Sequence, residues 1–135
     1  MAEGGCFCGK VRYTVEGQPL GKALCHCYDC RKITGSTYST NIIVGGPSFK
    51  LVSGTPKSIG KKGDSGNEIV SHFCGDCGST LWRDGVSFGD SKVIKVGTLD
   101  DVDALDNALP AIELFAEHRV SWVSQIPGAL QKTAM

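Results

Sequence analysis

The chain carries no surplus of charge: Lys plus Arg and Asp plus Glu number 14 each among its 135 residues. A protein that grips nucleic acid through its phosphates needs a basic excess, so nucleic acid is not an expected partner. No apolar run approaches the roughly 18 residues needed to span a bilayer, and no membrane partner is expected. Its first residues, Met-Ala-Glu-Gly-Gly, contain no basic stretch leading into an apolar one. No export signal is therefore expected, and the expected location is cytoplasmic. Also missing are internal repeats and any shift of composition that would mark a domain boundary. A single domain over residues 1–135 is the expectation, large enough to bury about two-thirds of its unfolded surface. A hydrophobic content of 41% against 21% charged residues excludes a disordered chain.

What the chain does have is cysteine. There are seven, an odd number, and none stands outside a cluster. Without an export signal, that pattern argues against a disulfide framework and for metal binding in a reducing compartment. The densest stretch is Cys25-His26-Cys27-Tyr28-Asp29-Cys30, three thiols within six residues. Such spacing lets one turn of backbone present three thiolates to a soft cation, and Zn²⁺ is the cation expected. Two pairs flank it in sequence, Cys6-x-Cys8 and Cys74-x₂-Cys77, both bordered by glycine. Glycines there let backbone N–H groups approach and donate to a thiolate.

The simplest division is four plus three. Cys6, Cys8, Cys74 and Cys77 are enough for a closed four-thiolate zinc that ties the two parts of the chain together. Cys25, Cys27 and Cys30 then form a second site with one coordination position open. A rival division would use Cys25 or Cys27 with Cys30, Cys74 and Cys77, leaving Cys6 and Cys8 idle. A redox motif at Cys27-x₂-Cys30 lacks the strand–helix–strand context it needs.

The remaining pattern is of short strands and glycine turns. Residues 4–15 read as a hairpin, with Val11, Tyr13 and Val15 at strand period. Residues 28–34 read as a short helix ended by Gly35. Residues 36–44, 49–52, 68–73, 80–82 and 92–96 read as strands. Residues 58–66 read as loop, and Lys57, Lys61 and Lys62 as solvated cations. An acidic first turn points to a short helix over residues 100–109. Residues 112–117 read as a strand, and 118–123 as a segment that closes the core, with Trp82 and Trp122 as core aromatics. Little order is expected after Pro127.

Taken together, Gly5-Cys6-x-Cys8-Gly9-x-Val11-x-Tyr13, Cys25-His26-Cys27-x₂-Cys30-Arg31, Gly35-Ser36 and Phe73-Cys74-x₂-Cys77-Gly78 resemble the glutathione-dependent formaldehyde-activating enzyme and centromere-protein-V family. The resemblance implies a mainly β, single-domain, zinc-stapled fold of several short antiparallel sheets, shared with Rab-exchange-factor-like and methionine sulfoxide reductase B-like zinc proteins. It implies two Zn²⁺ per chain: a structural zinc at Cys6, Cys8, Cys74 and Cys77, and a catalytic zinc at Cys25, Cys27 and Cys30. It further implies carbon–sulfur lyase chemistry on a small-molecule thiol adduct, with glutathione as the thiol.

The chemistry of an all-sulfur site agrees with a thiol substrate. Three thiolates leave a zinc site with about one negative charge, poor at acidifying water but suited to exchanging water for a thiolate. Arg31, Lys32 and Ser36 are placed in sequence to hold a substrate's polar groups. His118, between Glu117 and Arg119, is the acid–base candidate. His26, between two ligands, is expected to point away from the metal, and His72 to pack. The alternative from another class is a non-catalytic zinc-stapled interaction module, which has no use for an exchangeable position. A sulfoxide-reductase reading needs a cysteine free of metal, and each of the seven already has a metal role.

Overall fold

A computed structural model describes residues 1–63 and 65–135. Strands β1 (Ala2–Gly5), β2 (Arg12–Val15) and β3 (Gly21–Cys25) lead into the one α-helix among the described residues, α1 (Tyr28–Thr34). Strands β4 (Ser39–Val44), β5 (Phe49–Ser53), β6 (Lys57–Lys62), β7 (Glu68–Phe73), β8 (Thr80–Gly85) and β9 (Lys92–Lys95) follow. Two short strands, β10 (Ile112–Leu114) and β11 (Leu130–Gln131), end the order. The fold is mainly β, as the glycine turns and β-branched runs require.

The strands form two sheets: β1-β2-β5, and an eight-stranded sheet ordered β11-β10-β3-β4-β9-β8-β7-β6. The core lies between them. Tyr13 and Val15 from the small sheet, with Val11 from the turn before β2, bury against Ile42, Val44, Leu81, Trp82 and Ile94 from the large one. Phe49 links the two layers, with its ring 5.5 Å from Tyr13 and 4.7 Å from Trp82.

The central strands have two buried faces. Registers pair Ile42 with Ile94 and Ile94 with Trp82, so these side chains share the core face. One residue along, the registers pair Asn41 with Lys95 and Arg83 with Ser71, on the opposite face. All four of these polar residues are buried. One face of the sheet makes the core, and the other buries a polar row.

Several expectations are corrected. Residues 57–62 form an edge strand rather than a loop, paired throughout with β7. Its glycine and lysines are what keep an exposed edge from pairing with other chains, and composition alone reads them as loop. Asp64, in the same expected loop, lies outside the described residues. The expected helix over 100–109 is reduced to turns and a 3₁₀ turn at Asp106–Ala108. Its aspartates bind locally instead: Asp101 Oδ1 accepts from the Asp103 N–H at 2.9 Å, and Asp100 is tied to Arg12. Beyond the 3₁₀ turn Ala116–His118 there is no closing strand over 118–123, and Trp122 is 76% exposed, so of the two tryptophans Trp82 alone lies in the core. The tail is ordered by β11, which runs parallel to β10, itself parallel to β3. One edge of the large sheet is thus parallel where only antiparallel pairing was expected.

Ile94 is fully buried between the sheets. Ile94→Ala should cost about 2–5 kcal/mol of stability, read as a lower urea midpoint at unchanged m-value.

Candidate functional site

Cys6 and Cys8 sit in the β1–β2 turn, and Cys74 and Cys77 in the β7–β8 turn. Both turns are built alike. Each reverses through a glycine in the left-handed region, Gly9 (φ 83°) or Gly78 (φ 81°), which a side chain would strain. Gly9 N–H donates to the Cys6 carbonyl at 3.1 Å, and Gly78 N–H to the Cys74 carbonyl at 2.8 Å. The Phe7 N–H crosses to Ser79 Oγ at 3.0 Å and joins the two turns.

The four sulfurs all lie within 4.8 Å of one another. Cys6 Sγ is 3.6 Å from Cys8 Sγ, and Cys8 Sγ is 3.7 Å from Cys74 Sγ. Sulfurs at about 2.3 Å around a tetrahedral centre stand about 3.8 Å apart. The donor set and its spacing therefore fit Zn²⁺, whereas a disulfide would need contact near 2 Å; all seven cysteines are free. Val11 N–H donates to Cys6 Sγ at 3.3 Å, and Ser79 Oγ lies 3.3 Å from Cys77 Sγ. The Ser79 hydroxyl and backbone N–H groups draw the Cys77 thiol down to about 5.

The second group is local. Cys25 ends β3, Cys27 caps α1, and Cys30 is the helix's buried residue. Cys27 Sγ accepts from the Cys30 N–H at 3.2 Å, so the cap that starts the helix is itself one of the three thiols. Gly35, at φ 62°, stops the helix and donates its N–H to the Arg31 carbonyl. The three sulfurs fall within 4.8 Å of one another, with no fourth Cys, His, Asp or Glu ligand atom joining them among the described residues. This set fits a soft cation that keeps one position for another ligand. Hydrogen bonds from the Cys25 and Cys27 thiols hold Cys30 well below the usual thiol range, helped by the charge of Lys95 and the Ser39 hydroxyl. The same contacts push Cys25 far up.

Lys95 escaped the sequence reading. It is only 7% exposed, and Nζ donates to Asn41 Oδ1 at 2.6 Å. Asn41 Nδ2 in turn donates to Ser39 Oγ at 2.9 Å, and Ser39 is the cross-strand partner of Cys25. Among the described residues no carboxylate lies within ion-pair distance of Lys95. Burial pulls its pKa down, while the charges of the Cys30, Cys25 and Cys27 sulfurs act to raise it. The available signal was the imperfect alternation of Lys92-Val93-Ile94-Lys95: a strand buried on both faces has no room for an ordinary solvated lysine.

A cavity of about 460 Å³ is lined by residues near both cysteine groups but by none of the seven cysteines. Thr34, Tyr38, Ser39 and Lys95 line it on the α1 side, and Gly78 and Ser79 on the other. A separate cavity of about 450 Å³, lined by Val15, Pro19, Val96 and Leu99 among others, touches neither group.

His26 is fully buried and its Nε2 lies 2.7 Å from Glu113 Oε1, away from the thiols as expected. Glu113 is fully buried as well and was not foreseen. His72 packs on Trp82, with ring centres 4.5 Å apart, and meets Asp84 at 2.8 Å. His118 stacks on Tyr28, the residue after Cys27, at 4.3 Å and 7°. Its Nδ1 is buried without a partner among the described residues. The Arg31 guanidinium lies 5.3 Å from the centre of the Tyr28 ring. Lys32 and Ser36 are exposed, and neither they nor Arg31 lines the cavity.

Burial alone would raise the Glu113 carboxyl, but the Gln131 amide, the Ile126 N–H and His26 outweigh it and draw the pKa from 4.5 to about 2. A lowered folded-state value means stability that is fully present above the unfolded value and lost as the pH falls through the folded one. The stability advantage of wild type over Glu113→Gln should therefore narrow by about 3 kcal/mol between about pH 4.5 and pH 2, measured by urea midpoints at successive pH.

Residues 1–118 match the model of the family described as glutathione-dependent formaldehyde-activating enzyme. No curated protein matches the chain. A solved Rhodobacter sphaeroides protein is similar in fold, with a TM-score of 0.62 and 20% identity over 80% of this chain and 96% of that one. With most of its length matched, the chain belongs to the glutathione-dependent formaldehyde-activating enzyme family.

Proposed function

We propose that this family member is a zinc-dependent carbon–sulfur lyase acting on a thiol adduct, with glutathione as the thiol. One observation carries the reading. Four cysteine sulfurs gather into a group complete in itself, and the other three gather into a group with no fourth protein ligand among the described residues. In this reading Cys6, Cys8, Cys74 and Cys77 hold a structural zinc, and Cys25, Cys27 and Cys30 a catalytic one. Zinc bound by the three thiolates would supply a soft Lewis acid that favours the deprotonated form of a substrate thiol.

The chain's own residues supply the rest. Lys95 offsets the negative charge of the three sulfurs and donates to an oxygen on the carbon half of the adduct. The cavity that Lys95 lines receives that carbon half, with Thr34, Tyr38 and Ser39 along its wall. In cleavage the carbon–sulfur electron pair passes to sulfur, the hydroxyl oxygen loses its proton, and the carbon–oxygen double bond forms. His118, held against Tyr28, is the base for that proton. Arg31, Lys32 and Ser36, at the outer side of α1, hold the carboxylate and amide groups of the thiol.

Zinc counting on wild type and Cys27→Ser tests the two centres. Two zincs per chain should fall to about one, with the fold kept and turnover of thiol–aldehyde adducts lost. A single zinc in wild type would sink the two-centre reading. Two zincs with no exchange of small thiols would favour a zinc-stapled interaction module. Lys95→Met, which keeps length and removes the charge, should lower kcat by about 10²–10³-fold with a smaller change in KM. Equal kinetics would exclude Lys95 from the reaction.

A further inference from the structure

We propose that residues 119–131, beyond the part of the chain matched by the family, form a latch that positions the three-cysteine loop through Glu113 and His26. The proposal adds to the functional reading above and rests on the three-cysteine group being the reactive one.

Glu113 lies on β10, between β3 and β11, paired in register with Leu24 on one side and Gln131 on the other. Its carboxylate collects four donors. His26 Nε2 at 2.7 Å and Arg119 Nε at 3.3 Å reach Oε1. The Ile126 N–H and Gln131 Nε2, both at 2.8 Å, reach Oε2. Three of the four donors come from residues 119–131; the fourth is the side chain between Cys25 and Cys27. Arg119 also bonds to Gln131, closing the ring of contacts.

The backbone repeats the connection. His26 N–H donates to the Leu114 carbonyl at 3.0 Å, and Lys132 N–H to the Glu113 carbonyl at 2.9 Å. The tail grips β10, and β10 grips the cysteine loop by both main chain and side chain. Alternation along the chain sends His26 to the opposite side from its two cysteine neighbours, so fixing the imidazole fixes which way Cys25 and Cys27 face. A buried carboxylate with four donors is a poor way to gain stability compared with apolar packing. Every lone-pair side of the carboxylate is engaged, while His26 Nδ1 is buried without a partner among the described residues, so the network holds the imidazole by its Nε2 alone and specifies one arrangement. Glu113 is thus a positioning residue for the site, and the tail is what holds it.

The test uses the full chain and two substitutions, Glu113→Gln and the milder Gln131→Ala, followed by hydrogen exchange and Co²⁺ substitution. Amides in residues 24–31 should exchange about tenfold faster or more in both variants, with residues 5–11 and 74–80 unchanged. In Co²⁺-loaded protein, the visible ligand-field bands that Cys27→Ser removes should shift in Glu113→Gln, and the remaining bands should not. Unchanged exchange in residues 24–31 would overturn the latch, as would equal acceleration in all three segments, which marks general loosening. Co²⁺ binding at the four-cysteine group alone would instead overturn the two-centre reading of function, and the exchange result would still decide the latch.

Discussion

The structure depends on four sulfurs meeting at one point. Cys8 and Cys74 are 66 residues apart in sequence, yet their sulfurs are 3.7 Å apart. One pair hangs from the three-stranded sheet and the other from the eight-stranded sheet, so their meeting sets how the two layers face each other. The Tyr13–Phe49–Trp82 contact then fills the space between those layers. For a chain of this size, a metal held between the two turns would add directly to a modest hydrophobic core.

The large sheet divides its faces by chemistry. Ile42, Ile94 and Trp82 face the small sheet and exclude water. Asn41, Lys95, Arg83 and Ser71 occupy the other face and bury a polar row. Such groups cost free energy unless they are satisfied, and here they are bonded to one another or lie beside the cysteine sulfurs. Two buried charges, Lys95 and Glu113, flank the three-cysteine loop. Lys95 acts on it through charge, and Glu113 through the ring of His26. An overall charge of zero conceals this local arrangement.

The seven-cysteine division was legible because short spacings and bordering glycines are local facts, and the knuckle turns follow from them. So was α1: Cys27, three residues before Cys30, and Gly35 at the left-handed stop define it from end to end. The β6 strand was not, because an edge strand protected by lysine and glycine has the composition of a loop. Trp122 was misplaced because apolar character was taken for burial, when Arg119 and Gln131 had already drawn the chain past it to Glu113. The tail was expected to be loose because its own residues show no strand period; its order comes from β10.

The sequence by itself determined the thiol clusters and the mainly β character, since each depends on residue type and near spacing; that Cys6 and Cys8 meet Cys74 and Cys77 was settled by the tertiary structure. The tertiary structure alone decided which distant groups surround the thiols. Lys95 and Glu113 are unremarkable in sequence because strand register, set by pairing across the sheet, is what brings them beside Cys25, Cys27 and Cys30. Burial then makes their charges strong.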